Sequence, residues 1–274
     1  MEDKEIKYLE EKAKSIRINA LRAICKAGSG HPGGSLSIAD ILSVLYFKIM
    51  NIEPGSPKME GRDKLILSKG HAVPALYAAL GEKGFFDIEE MMSLRKINSK
   101  FQGHPNMNKV PGIEMSTGSL GQGFSAAVGM ASASKLKNEN STIYVITGDG
   151  ELQEGIIWEA ALSAAQRKLG NFVAIIDNNK LQIDGEVADV KNVMPIDEKF
   201  GAFGFKTISI NGHSITEIVN ALEEAKEIKD MPVAVIADTY KGYGVSFMQD
   251  QAGWHGKAPT EEELEKAIKE ILGR

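Results

Sequence analysis

Thr142-Ile143-Tyr144-Val145-Ile146-Thr147-Gly148-Asp149-Gly150 and, further on, Phe172-Val173-Ala174-Ile175-Ile176-Asp177-Asn178-Asn179 share one pattern. Each is a continuous apolar run that stops at a cluster of small polar residues. A strand with one wet face alternates apolar and polar residues, whereas a strand buried on both faces is apolar throughout. Residues 151–168 between the two runs read as a helix, so the segment is strand, helix, strand. Working outward, residues 65–67, 207–210 and 233–237 give further short apolar runs. Helical patterns separate them at 72–80 and 123–136, and from Ser214, with Glu217 as a capping-box partner, to about Ile228. At the N-terminus Ile6, Leu9, Ala13, Ile16, Ala20, Ile24 and Ala27 recur at spacings of three and four, and Gly28 ends that helix. A second helix is expected from Ser37, with Asp40 as its capping-box partner, and a last one opens at Thr260 and Glu263. Strands alternating with helices predict an α/β fold, a three-layer parallel sheet with helices on both faces.

Composition bounds the function. The chain has 274 residues, 43% hydrophobic and 25% charged, which excludes a mainly disordered protein. Its net charge of −5 argues against a dedicated nucleic-acid binder. Cys25 is the one cysteine, so no intrachain disulfide can form and a reducing compartment is expected. The N-terminus is charged and lacks the apolar core of a secretory signal. The longest apolar runs fall far short of the roughly 18 residues that cross a bilayer. No linker or repeat divides the sequence. The expectation is a single cytoplasmic domain over residues 1–274, with no membrane or nucleic-acid partner.

In an open parallel sheet, ligands bind at the carboxyl ends of the strands. Gly148-Asp149-Gly150 falls there, and its glycines let a ligand approach the backbone. The free N–H groups of a following helix would suit a phosphate. A plain strand-to-helix turn with Asp149 as its cap explains the triplet equally well. The next strand ends in Asp177-Asn178-Asn179, and neighbouring strands lie about 5 Å apart. Asp149 and Asn179, with a nearby backbone carbonyl, would therefore offer one small cation an incomplete set of hard oxygens. Magnesium takes its remaining ligands from phosphates and water. Asx-turn chemistry is the alternative.

The histidines add a third feature. Of the five, four directly follow a glycine (His31, His71, His104 and His213), and His255 precedes one. Glycine fills 28 of 274 positions, so four such pairings by chance have odds of about 5 in 10,000, and the pairings mark loops that a ligand could approach. None has the close spacing of a zinc site. His213 sits beside a helix cap and reads as structural. Cys25 reads as packing rather than nucleophile. Glu151, Glu154 and Glu159 share a helix whose apolar surround (Leu152, Ile156, Ile157, Trp158) leaves room for one buried functional carboxylate.

Taken together these residues resemble the transketolase family. Gly148 to Gly155, running on to Asn179-Lys180-Leu181-Gln182-Ile183-Asp184-Gly185, is similar to the thiamine diphosphate motif, which opens with Gly-Asp-Gly and closes with Asn. Ser29-Gly30-His31-Pro32-Gly33, Leu67-Ser68-Lys69-Gly70-His71-Ala72, Gly103-His104-Pro105 and residues 117–123 resemble the transketolase diphosphate-binding domain, in order. The resemblance covers nearly the whole chain. It implies the thiamine diphosphate-binding fold and magnesium, or calcium or manganese in its place, held by Asp149, Asn179 and the Leu181 carbonyl. It implies that Gly150, His71 and Asn179 touch the cofactor's diphosphate and that Gly118, Ser119 and Leu120 pack on its rings. It implies that His31, His104 and His255 line the substrate channel, with His255 also at the cofactor, and that Glu154 and Glu159 join a carboxylate network between paired sites. Histidines at sugar hydroxyls would exchange protons through a pKa near working pH.

Three positions depart from the pattern: Lys69 stands where Asn is commoner, Ser119 where the fused enzymes commonly have Pro, and the loop before His255 is short. The fused enzymes also continue into a pyrimidine-binding domain that holds the cofactor-activating glutamate and the sugar-phosphate arginines. The chain therefore resembles the N-terminal subunit of a split transketolase. The implied partners are a C-terminal subunit carrying that domain, in a heterotetramer, and sugar-phosphate substrates. An alpha-like subunit of a 2-oxoacid dehydrogenase, a ketolase of other specificity and a non-catalytic assembly partner are the alternatives.

Overall fold

The structure, a computed structural model, describes residues 2–273. Five strands form one wholly parallel sheet: β1 (Lys64–Leu67), β2 (Ile143–Gly148), β3 (Phe172–Asn178), β6 (Lys206–Asn211) and β7 (Val233–Asp238), in the order β1-β2-β3-β7-β6. β2, β3 and β7 are the continuously apolar runs and lie in the centre, where both faces are covered. β6 carries Lys206, Ser209 and Asn211 and lies at an edge.

Successive side chains point to opposite faces of a strand, and the core divides accordingly. Leu65, Leu67, Tyr144, Ile146, Val173, Ile175, Val233 and Val235 pack with α1 (Asp3–Ala27), α3 (Ala39–Val44), α4 (Val73–Lys83) and α9 (Ile215–Glu227). Ile66, Val145, Ala174, Ile176, Ala234 and Ile236 pack with α5 (Gln122–Leu136), α6 (Gly155–Gln166) and α8 (Ile196–Ala202) on the other side. The expected three layers are present. α1 ends where Gly28 turns left-handed at φ 64°. α10 (Glu261–Leu272) opens with the complete Thr260–Glu263 capping box. No helix among the described residues is long and apolar enough to cross a membrane.

Three local expectations are corrected. The second helix does not start at Ser37: α2 (Pro32–Ser37) starts with Pro32, whose ring presets the first helical turn, and it breaks at Ile38 before α3. Ser37 instead turns inward to Asp177 at 2.8 Å, and Asp40 pairs with Arg17 rather than capping. The helix after Gly-Asp-Gly does not start at Glu151. A 3-10 turn (Gly150–Gln153) intervenes and α6 begins at Gly155, so the α6 N-terminus is not directly beneath Asp149. At Ser214 half the capping box forms, because the Glu217 carboxylate turns back to the Asn211 N–H. A small antiparallel hairpin, β4 (Leu181–Gln182) with β5 (Gly185–Glu186), followed by α7 (Val187–Lys191), was not anticipated.

Candidate active site at the carboxyl edge of the sheet

β2 and β3 pair in register with Gly148 opposite Asp177, so Asp149 and Asn179 leave the sheet side by side. Both are buried. The Asp149 carboxylate accepts the Gly150 N–H at 2.7 Å and also the Lys180 N–H. The Asn179 side-chain oxygen accepts the Leu181 N–H at 3.2 Å, and its amide donates to Asp177 at 2.8 Å. The Leu181 carbonyl faces the same space and accepts the Lys241 ammonium at 2.9 Å. Asp149, Asn179 and Leu181 thus line one space at the strand ends.

Behind this edge lies a buried network absent from the sequence reading. Asp177 is fully buried and bonded to Lys69, Thr239 and Ser37. Burial alone would raise its carboxyl, but the Lys69 ammonium and these donors outweigh burial and hold it below the usual carboxylate range. Burial and the Asp177 charge push Asp149 the other way, to about 6. Lys241, also buried, is lowered to about 8 by burial and by Lys69. The signal for Lys69 was its departure from the commoner Asn. Lys241 gave none, since one lysine in a Gly-rich loop has no pattern.

A cavity of about 340 Å³ opens over this edge. It is lined by His31, His71, His104 and His255, by Gly118 and Leu120, and by Asp149, Gly150, Asn179 and Leu181. Four distant loops thus bring four histidines together. Ring centroids are 5.2 Å apart for His31 and His71, 5.3 Å for His31 and His255, 5.0 Å for His71 and His255, and 6.3 Å for His31 and His104. Gly34 keeps the floor open, because a Cβ there would meet the Lys69 ammonium at 3.3 Å and the His71 ring at 3.4 Å. Thr117, bonded to the Leu67 carbonyl at 2.7 Å, fixes the Gly118 segment beside the end of β1. Gly121, at φ 81°, then turns the chain into α5.

The histidine chemistry differs from the expectation. Burial first, then Arg95, His104 and Lys241, lower His31 to about 4. Burial, Lys241 and His31 lower His255 to about 3. Burial and Lys69 hold His71 well below the ordinary value, and burial and Arg95 lower His104. All four are shifted downward with burial as the first cause, so the cavity presents neutral imidazoles that give and accept hydrogen bonds. His213 is structural, as expected, sitting between Asp40 and two tyrosines.

The three glutamates separate. Glu151 is the buried one: one carboxylate oxygen accepts the Ser68 hydroxyl and the Gly121 N–H at 2.7 Å, and the other accepts the Gly148 N–H at 3.1 Å. It ties the ends of β1 and β2 to the start of α5. Glu154 is exposed at the cavity's mouth. Glu159 is exposed on α6 and lines a separate shallow groove with Ser125, Val128 and Gly129 of α5. Ser119 is exposed and is not among the cavity's lining residues.

The residues fit a diphosphate held through a divalent cation. The oxygen donors are hard; among the described residues no cluster of three His, Cys, Asp or Glu suited to a metal ion occurs, so a cation here would need the ligand's own oxygens to complete its shell. His31 and His255 each keep a buried Nδ1 with no hydrogen-bond partner, as a site awaiting a polar ligand would.

Comparison with known proteins agrees. Residues 9–274 match the family described as "Transketolase, thiamine diphosphate binding domain". The chain is 46% identical over 263 residues to the 6-deoxy-6-sulfo-D-fructose transketolase subunit of a Clostridium species, covering 96% of each. It is 40% identical to an apulose-4-phosphate transketolase subunit of Phocaeicola vulgatus, covering 98% of this chain and 96% of that one. Against human transketolase it is 40% identical over its full length but covers 43% of the human protein. The crystal structure of transketolase from Campylobacter jejuni superimposes with a TM-score of 0.92 at 38% identity, over 97% of this chain and 43% of that one. The chain thus spans less than half the length of the solved transketolases it matches. With fold, site and sequence in agreement, the chain belongs to the transketolase family, as its thiamine diphosphate-binding domain.

Proposed function

We propose that this chain is the N-terminal, diphosphate-binding subunit of a two-chain transketolase that moves a two-carbon ketol unit from a ketose to an aldose phosphate. The observation that carries the reading is the meeting of four loop histidines with Asp149, Asn179 and the Leu181 carbonyl in one cavity. When bound, thiamine diphosphate supplies the nucleophilic carbon and the electron sink that make ketol cleavage possible. Asp149, Asn179 and the Leu181 carbonyl would hold magnesium, or calcium or manganese in its place, against the diphosphate. Gly150, His71 and Lys241 would meet the diphosphate itself, the first through its backbone and the others as donors. Gly118 and Leu120, which line the cavity, would pack on the cofactor rings.

His31, His104 and His255 would orient the sugar hydroxyls. As neutral imidazoles they accept a hydroxyl hydrogen bond on one nitrogen and donate on the other. Burial keeps these imidazoles neutral and weakens them as bases, so their part is to orient the hydroxyls by hydrogen bonds rather than to store a proton. Glu154, at the cavity's mouth, and Glu159, outside it, would join a carboxylate network between paired sites. The partner would be a C-terminal transketolase subunit carrying the pyrimidine-binding domain, in a cytoplasmic assembly of two chains of each kind.

The test is the assembled enzyme with His31→Ala and His104→Ala. Turnover should fall about 100- to 10,000-fold in each, while thiamine diphosphate affinity measured by calorimetry stays near that of the wild type. 6-Deoxy-6-sulfo-D-fructose and apulose 4-phosphate, named for two relatives, should be assayed beside common ketose phosphates. Loss of thermal stability with turnover per site intact would overturn the assignment of these histidines.

A further inference from the structure

Lys241 reaches the cavity from the loop that follows β7, and a polar cluster lies against the same loop. Asp40 of α3 is bound by the Arg17 guanidinium of α1, with one contact at 3.0 Å and a second, shorter one. Arg17 also donates to the Leu36 carbonyl at 3.3 Å and lies over the Tyr243 ring, 4.9 Å from its centroid. Asp40 presents its Oδ2 to His213 Nδ1 at 2.8 Å. His213 stacks on Tyr243 with 3.5 Å between centroids, and its Nε2 receives the backbone N–H of Tyr240 at 2.9 Å. The residue after Tyr240 is Lys241.

The direction of these bonds is fixed by chemistry. A backbone N–H only donates, so Nε2 must present its lone pair. Nδ1 must then carry the proton and donate to Asp40. One tautomer of His213 satisfies both neighbours, and the Asp40 carboxylate selects it. The other tautomer would set N–H against N–H at Tyr240.

We infer that Asp40 and His213 form a positioning device, which pins the loop at Tyr240 from behind and so holds the Lys241 ammonium at the Leu181 carbonyl in the candidate active site. The loop is held from the cavity side as well, by Thr239 on Asp177 and by the Gly242 N–H on the Gly33 carbonyl at 3.0 Å. Gly242 adopts φ 75° against Met248, where a Cβ would collide, so the turn after Lys241 is tight. Between these anchors, and among the described residues, the Tyr240 N–H is bonded to His213 alone. The role of Lys241 once placed rests on the transketolase reading; its placement does not, and the test is chosen to need neither cofactor nor turnover.

Two variants separate the two ends of the imidazole. In His213→Gln the side-chain oxygen can reach the Nε2 position and accept from Tyr240, at the loss of Asp40. In His213→Asn the amide nitrogen can still donate to Asp40, but nothing reaches Tyr240. Hydrogen exchange of residues 239–243 and acylation of the Lys241 amine are then measured on the full chain. We expect exchange at Tyr240 and Lys241 to rise about tenfold in His213→Asn, as one lost hydrogen bond of ordinary strength permits. Lys241 acylation should rise with it, while β2 and β3 stay protected. His213→Gln should remain near the wild type in both. Equal release in the two variants, or none in His213→Asn, overturns the proposal. If either variant fails to fold, the ring nitrogens of 15N-histidine wild-type protein decide: a neutral Nδ1–H tautomer at His213 supports the device, and an Nε2–H tautomer rules it out.

Discussion

Asp149 carries two opposed demands. It is buried, next to the charge of Asp177, and its carboxyl is raised to about 6. Yet it is the one carboxylate among the three expected cation ligands. A divalent ion beside it would restore the charged form, and a diphosphate left without that ion would face unneutralised charge. Asp149→Ala and Asn179→Ala should each abolish magnesium-dependent thiamine diphosphate binding in the assembled enzyme. Calorimetry decides it, and wild-type affinity in both variants would remove the metal assignment. The histidines make a separate prediction. His31 and His255 are lowered from 6.5 to about 4 and about 3. The unfolded chain binds more protons than the folded one between those values, so their contribution is complete above pH 6.5 and is lost as pH falls towards 3. Asp149, raised, works in the opposite sense between about pH 4 and 6. The difference between wild type and a His31→Asn, His255→Asn double variant removes that background. Urea midpoints of the wild type should drop more steeply than those of the variant from pH 6.5 to pH 4, and parallel curves would contradict the shifts.

At the scale of elements, Glu151 holds the site's frame. It accepts from Ser68 at the end of β1, from Gly148 at the end of β2 and from Gly121 at the start of α5. Glu151→Ala strands three buried donors and should lower stability by on the order of 3 kcal/mol. Urea unfolding measures this, and a loss under about 1 kcal/mol would show that water or a neighbour replaces the carboxylate. The sequence made one carboxylate of the Glu151, Glu154 and Glu159 set a candidate for burial but did not single out Glu151, because it reads helix there and all three share one helix in that reading. The 3-10 turn rotates Glu151 inward, and i→i+3 bonding of that kind leaves no periodicity to detect. The central strands were legible because burial on both faces makes them apolar throughout. The β4–β5 hairpin was not, since its strands have two residues each. The oxygen set was legible from strand ends, and the four cavity histidines from their glycine neighbours, three after a glycine and His255 before one. Lys241 and the lowered histidine pKa values were not, because both depend on burial by loops far apart in the chain.

The whole molecule presents a folded body with an exposed working edge. Its accessible surface of 11572 Å² is what a compact monomer of this mass exposes, about 11,600 Å² by the usual scaling. Its core lies on both faces of the sheet and needs no second chain to close it. Large apolar side chains nonetheless remain outside: Leu136 on α5 at 80% exposed, Leu162 on α6 at 58%, and Ile183 at the tip of the cavity-side hairpin at 69%. The shallow groove containing Glu159 lies on the same α5–α6 face. These features are consistent with a stable subunit whose site is completed by a partner, and symmetric pairing is the usual arrangement of soluble oligomers. The chain alone should therefore fold, giving one cooperative unfolding transition, yet show no ketol transfer with cofactor and magnesium supplied. Addition of a companion chain carrying a pyrimidine-binding domain should restore transfer from a ketose to an aldose phosphate. Light scattering on the mixture should show an assembly of two chains of each kind. Full activity in the isolated chain would overturn the split-subunit reading, because the carboxylic acid that activates the cofactor would then have to come from this chain. No activity in the mixture, with cofactor bound, would instead point to a different sugar or to a role in assembly alone.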